Sequence, residues 1–216
     1  MNVLAIDTCG SAGTVAVARL TDGAGAPEIL GETEIPGKTY SAQLVPAIRE
    51  LLGQHGIGLG EIGAIVVTSG PGSFTGIRIG LATAKGLAEA HGISLAAVSR
   101  LAVLAHNAQT PAAALDASRR EFYLRDERGE SLVTAESFRE RAAALGAQLA
   151  VSEASVREAA PEATAVPPAT AADAVRCVLE RLRAGQFDDP LVLDGNYLRR
   201  SDAEIFSRPV LVAGGP

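Results

Sequence analysis

Apolar and polar residues change their period several times along the first half of the chain. "VLAIDT" and "TVAVARL" are β-rich runs divided by "CGSAG", a small glycine-containing turn, so residues 3–20 predict a hairpin. "EILGETEI" follows another turn and predicts a third strand. After Tyr40 the apolar positions Leu44, Ile48, Leu51 and Leu52 have helical spacing. Pro46 must then sit near the first turn or bend that helix. "AIVVTS" predicts a short buried strand, residues 76–90 a helix and "ISLAAV" a strand, and Ser99 is placed to cap a helix through His106. Strands separated by helices imply an α/β half-molecule with a mixed sheet.

The second half opens by repeating this logic. "AAALDASRREFYLRDERG" matches "VLAIDTCGSAGTVAVARL" as an apolar strand ending in Asp and a small residue, a short polar turn and a returning strand. Asp7 and Asp116 lie almost half the chain apart, which suggests two structurally similar halves. Beyond the repeat, Thr134 to Leu145 and Asp173 to Ala184 have helical patterns, whereas "VSEASVREAAPEATAVPPAT" is rich in breakers and low-complexity Ala and predicts a shortened or loop-like region.

"TSGPGSFTGIRIGLATAKGLA", Thr68 to Ala88, carries the densest chemistry. The loop fails the Walker template, because Gly76 is followed by Ile77 and Arg78 where Lys and Ser or Thr are needed. It fails the dinucleotide fingerprint too, since from Gly70 the third glycine falls one position late. Backbone amides at the helix start remain available to an anion, with Ser73 or Thr75 as the alternative cap. Asp7, Thr8, Ser73, Thr75 and Arg78 are the candidate nucleotide or anion contacts. In the helix, Gly76, Gly80, Ala84 and Ala88 recur every four residues beside Ile77, Leu81 and Leu87. Glycine inside a helix costs about 1 kcal/mol relative to alanine. Close approach of another backbone would compensate, either inside the domain or across a subunit interface.

Composition narrows the function. The 216 residues are 47% apolar and 20% charged, ordinary for a globular chain. A net charge of −6, with five Phe, three Tyr and no Trp, disfavours unaided nucleic-acid binding. Cys9 and Cys177 are too few for a disulfide framework and predict reduced thiols in the cytosol. "MNVLAIDT" predicts a strand in place of a signal peptide, and no window has the apolar length of a membrane span. The histidines, His55, His91 and His106, include no i, i+4 pair, and no Gly-x-Ser-x-Gly elbow occurs. Asp7 and Asp116 could hold a magnesium ion through water, but a nucleotide clamp also wants a second glycine-rich turn, which "DASRREF" does not supply, so no metal site and no catalytic residue is assigned.

"LAIDTCGSAGTVAV", "YSAQLVPAIRELL", "GPGSFTGIRIGLATAKGLA", "ISLAAVSRLAVLA" and the late "NYLRR" resemble the bacterial TsaB family, also called YeaZ. The resemblance is strong over residues 1–107 and looser beyond. It implies an α/β actin-like (ASKHA, ribonuclease-H-like) fold of two related lobes with mixed sheets and flanking helices, divided as 1–107, carrying the dimer and partner interface, and 108–216, a shortened related lobe. It also implies a noncatalytic partner of the TsaD-type transferase that forms N6-threonylcarbamoyladenosine next to the anticodon of tRNAs reading codons that begin with A. A TsaE-like ATPase joins that assembly, the protein alone forms a homodimer, tRNA is reached only through the complex, and any ATP or ADP and magnesium belong to the complex. The implied interface comprises Tyr40, Gln43, Leu44, Ala47, Ile48 and Leu51 on one helix and Gly76, Ile77, Gly80, Leu81, Thr83, Ala84 and Leu87 on the next. The chain departs from the family at Tyr40, where histidine is common, and at Ser118, where arginine is expected, while Asp116, Glu121 and Tyr123 match. The competing expectation is an independent actin-like ATPase or sugar-kinase-type enzyme using Asp7 and the "CGSAG" turn at phosphate.

Overall fold

The computed structural model describes residues 1–199 apart from Asp22 and Ala24; Arg200, the last residue of "NYLRR", lies outside the described residues. The chain forms β1 (Asn2–Asp7), β2 (Ala12–Arg19), β3 (Glu28–Pro36), α1 (Tyr40–Gln54), β4 (Ile62–Thr68), α2 (Phe74–His91), β5 (Ser94–Val98) and α3 (Arg100–Ala108). It continues with β6 (Ala112–Asp116), β7 (Glu121–Asp126), β8 (Gly129–Thr134), α4 (Ala135–Leu145), β9 (Leu149–Val151), α5 (Ala154–Ala159), β10 (Thr164–Ala165), α6 (Ala171–Cys177) and α7 (Leu179–Arg183). One sheet has the order β3-β2-β1-β4-β5 and the other β10-β9-β6-β7-β8. In each, the first three strands form an antiparallel meander and the last two join in parallel. The weak repeat around Asp7 and Asp116 is therefore a repeat of topology.

Alternation along β1 divides the first lobe's core. Leu4 and Ile6 face one way with Leu44, Ile48, Ile77 and Leu81 of α1 and α2. Val3 and Ala5 face the other way with Val103 of α3 and Ala171, Ala174 and Val175 of α6. The second sheet packs Phe122, Leu124 and Phe138 on one face, with the two phenyl rings stacked at 4.1 Å. Its other face takes Leu101 and Leu104 of α3, so this helix serves both lobes. A cut at residue 107 separates the two sheets, yet α6 packs against the first one, and the amides of Ala171 and Ala172 donate to Thr14 Oγ1 and Glu32 Oε1.

Several local expectations change. α1 starts at Tyr40 and runs through Pro46, which lies past its first turn; Pro46 and Ala42 both lie exposed, where water can take the carbonyl that loses its amide donor. The region expected to be loop-like contains α5 and β10, short elements that complete the second sheet and its cover. The helix expected from Asp173 to Ala184 is divided at the buried Val178 into α6 and α7. Among the described residues, no helix is long and apolar enough to cross a membrane.

Candidate functional site: the cleft between the lobes and the face of the first two helices

The end of β1 is bound tightly to the start of α2. Asp7 is buried and its Oδ1 accepts the Cys9 amide at 2.8 Å. Thr8 Oγ1 donates to the Gly76 carbonyl at 2.7 Å, and the Ser73 amide donates to the Cys9 carbonyl at 2.8 Å. Ser73 caps α2, its hydroxyl accepting the Gly76 amide. A Cβ on Gly76 would fall 1.9 Å from the Thr8 carbonyl oxygen, and one on Gly80 would fall 2.3 Å from Thr8 Oγ1. The small-residue stripe thus lets α2 lie on the chain's own first strand.

That placement sorts the thirteen residues named for the interface. Tyr40, Leu44, Ile48, Leu51, Gly76, Ile77, Gly80, Leu81 and Ala84 are buried within this chain. They shape the two helices, and of the nine only Tyr40 and Gly76 border open space, at the cleft described below. Gln43 is exposed, and Ala47, Thr83 and Leu87 are partly exposed. Val45 on α1, which the periodicity did not single out, is 58% exposed.

Between the lobes lies a cleft of about 850 Å³. The first lobe lines it with Cys9, Gly10, Ser11, Tyr40, Ser73, Thr75 and Arg100, and the second with Asp116, Ser118, Tyr123 and Glu153, together with Arg199. Of the five anion candidates, Ser73 and Thr75 face this space. Asp7 and Thr8 are buried and engaged as described, and Arg78 stands 3.9 Å from the Phe74 ring, outside the lining. Burial, reinforced by the charge of Asp7, drives the Cys9 thiol far above the usual thiol range. Tyr40 donates its hydroxyl to the Gly10 carbonyl at 2.9 Å and is pushed up to about 12, first by burial and then by Asp7. In the second lobe Asp116 accepts the Ser118 amide and the Ser155 hydroxyl, and its own amide donates to Glu153. Burial raises the Glu153 carboxyl against the opposing pull of that amide and of Arg100. The turn that follows holds Ser118, Arg119 and Arg120 at φ of 62°, 54° and 62°, the left-handed region, with no glycine to relieve it.

Arg100 and Glu153 escaped the pattern of the sequence. A signal was present: each lies two residues beyond a parallel strand, β5 or β9, at the carboxyl end where open α/β sheets place ligand groups. Among the described residues, no group of three or more His, Cys, Asp or Glu side chains is placed to hold a metal ion.

Two lobes with one repeated five-strand topology and a cleft between them define an actin-like, ribonuclease-H-like protein. Residues 33–173 match the family model described as TsaD: tRNA N6-adenosine threonylcarbamoyltransferase, and the chain belongs to this family, in its TsaB (YeaZ) branch. The tRNA threonylcarbamoyladenosine biosynthesis protein TsaB of Haemophilus influenzae is 34% identical over 129 residues, 57% of this chain and 52% of that protein. Its counterpart in Escherichia coli is 34% identical over 139 residues, 60% and 58% of the two chains. The chain spans about half the length of these curated relatives. A solved Pseudomonas aeruginosa protein described as similar to peptidase YEAZ superposes with a TM-score of 0.72 at 26% identity, covering 92% of this chain and 99% of that one.

Proposed function

We propose that the chain is the noncatalytic partner of a TsaD-type transferase, and that it supports formation of N6-threonylcarbamoyladenosine in tRNA within an assembly that includes a TsaE-like ATPase. The observation that carries this reading is the match of residues 33–173 to the transferase family, combined with relatives that are named for threonylcarbamoyladenosine biosynthesis. The three histidines are all exposed and far apart in sequence, which suits a supporting subunit better than a metal-dependent catalyst. Docking uses the solvent-facing positions of α1 and α2, among which Val45 on α1 is exposed and Ala47, Thr83 and Leu87 are partly exposed. The same face forms the homodimer when the protein is alone, the site of action is the cytoplasm, and tRNA is met only through the complex. Nucleotide and magnesium belong to the assembled machinery.

The test is reconstituted transfer to tRNA with each purified component omitted in turn. Modification should require this chain together with the TsaD-like and TsaE-like proteins; full activity without it, or from it alone, contradicts the proposal. Val45→Glu should weaken association about tenfold or more while unfolding changes by no more than about 0.5 kcal/mol. Undiminished association would remove this face from the interface.

A further inference from the structure

Among the described residues, the buried side-chain nitrogens without a hydrogen-bond partner are Nε of Arg100 and Nε of Arg199, and both residues line the same cleft. A buried donor left without an acceptor costs about 1–3 kcal/mol. Each Nε is itself sealed from the cleft, so a ligand there would be met by the terminal Nη atoms of the same guanidinium groups. The two arginines differ in their remaining bonds. Arg199 pairs with Glu121 and donates to the Ser118 carbonyl. Arg100 is in no ion pair among the described residues, and its guanidinium lies against Gly10, where a Cβ would come within 2.9 Å of Nη2. Absence of a side chain at position 10 makes room for this positive charge. The first turn of α2 adds the hydroxyls of Ser73 and Thr75 to the same cavity, and Lys38 lines it as well.

We propose that the cleft binds a small molecule through a single oxyanion, a carboxylate or a phosphate, held by Arg100 with the first turn of α2 and with Arg199 as the lesser contact. One oxyanion fits better than a polyphosphate chain, because the second lobe lines the cleft with Asp116 and Glu153, which would face the additional negative charges. Those two acids suit a donor elsewhere on the ligand, such as an amine or hydroxyl. A volume of about 850 Å³ is in the range of small-molecule sites. The site takes in the amino-terminal ends of α1 and α2, but Val45, Ala47, Thr83 and Leu87 are not part of its lining.

Thermal unfolding of the full chain in inorganic phosphate and in acetate, each against chloride at equal ionic strength, tests the proposal. Line broadening of the phosphate phosphorus resonance provides a direct reading of binding. At least one of the two anions should raise the unfolding midpoint in a saturable way; response to acetate alone assigns a carboxylate and response to phosphate alone a phosphate. Arg100→Gln should weaken the responding anion about tenfold or more. Its midpoint in chloride should stay close to that of the wild type, since removal of the unpaired Nε donor offsets loss of the attraction between Arg100 and Glu153. Thr75→Glu places a carboxylate at an exposed cleft position without touching Arg100 and should abolish the response, which keeps the proposal open to refutation if Arg100→Gln fails to fold. No response to either anion, a response confined to magnesium and ATP, or full responses in both variants would overturn it.

Discussion

At positions 76 and 80 a single methyl group has nowhere to go. Its carbon would stand 1.9 Å and 2.3 Å from atoms of Thr8, whereas at Gly86, farther along α2, nothing lies within 4 Å. Gly76→Ala should therefore cost about 3 kcal/mol or more through overpacking, while Gly86→Ala should stabilise by about 1 kcal/mol through helix propensity. Urea unfolding of both variants checks this opposition, and equal effects would contradict the inward orientation of the stripe. Tyr40 yields a second expectation. Its folded pKa is raised to about 12, above the ordinary value of about 10, so its buried neutral form stabilises the fold below pH 10 and that contribution disappears as pH rises towards 12. Wild-type stability should fall across this window, with a Tyr40 share of about 1–2 kcal/mol after solvent screening at the cleft and a further share from the raised Cys9 thiol. Tyr40→Phe should lose about 1 kcal/mol at neutral pH with its bond to Gly10 and be flatter above pH 10. The four-residue spacing of Gly76, Gly80, Ala84 and Ala88 was legible in the sequence; which surface it met was not, because periodicity reports a shared face and not its neighbour.

Elements with a regular period were the legible ones. The meander of β1 to β3, the helices α1 and α2 and the cap at Ser99 all follow from local pattern. Residues 188–199 have no period, and their role emerges only from contacts distant in sequence. Asp188 bridges to Leu95 on the edge strand β5, accepts the Ala97 amide at 2.7 Å and receives two bonds from Arg181. The Asn196 amide then donates to the Ser69 carbonyl, and its side chain donates to Glu130 in the second lobe, which also accepts the Ser99 hydroxyl. This segment closes the edge of one sheet and ties it to the other lobe. Asp188→Ala should cost about 2–3 kcal/mol by leaving the Ala97 amide and Arg181 short of an acceptor. Hydrogen exchange should accelerate at Ala97 well before it does at Leu4 in the sheet centre. Uniform acceleration at both amides would show that the segment is no local clasp.

For the whole molecule, duplication was visible from "VLAIDT" and "AAALD", because a strand ending in Asp before a turn is a local motif. The identical order of strands in the two sheets is its three-dimensional counterpart. The return of α6 to the first sheet was hidden, since its amide contacts with Thr14 and Glu32 span more than half the chain. The cleft was hidden for the same reason: Ser73, Arg100, Glu153 and Arg199 meet only when both lobes and the last described segment are assembled. Family membership was legible in "GPGSFTGIRIG", a loop and helix start in which Gly72, Gly76 and Gly80 pack closely on Thr8 and Cys9 just past β1.

The most direct test of the partner role is the content of N6-threonylcarbamoyladenosine in tRNA from cells depleted of this protein, measured by nucleoside mass spectrometry. The modification should fall in depleted cells, return with the wild-type chain and stay low with Val45→Glu, whose fold is intact but whose docking face is charged. Unchanged modification after depletion would contradict the function proposed for this chain.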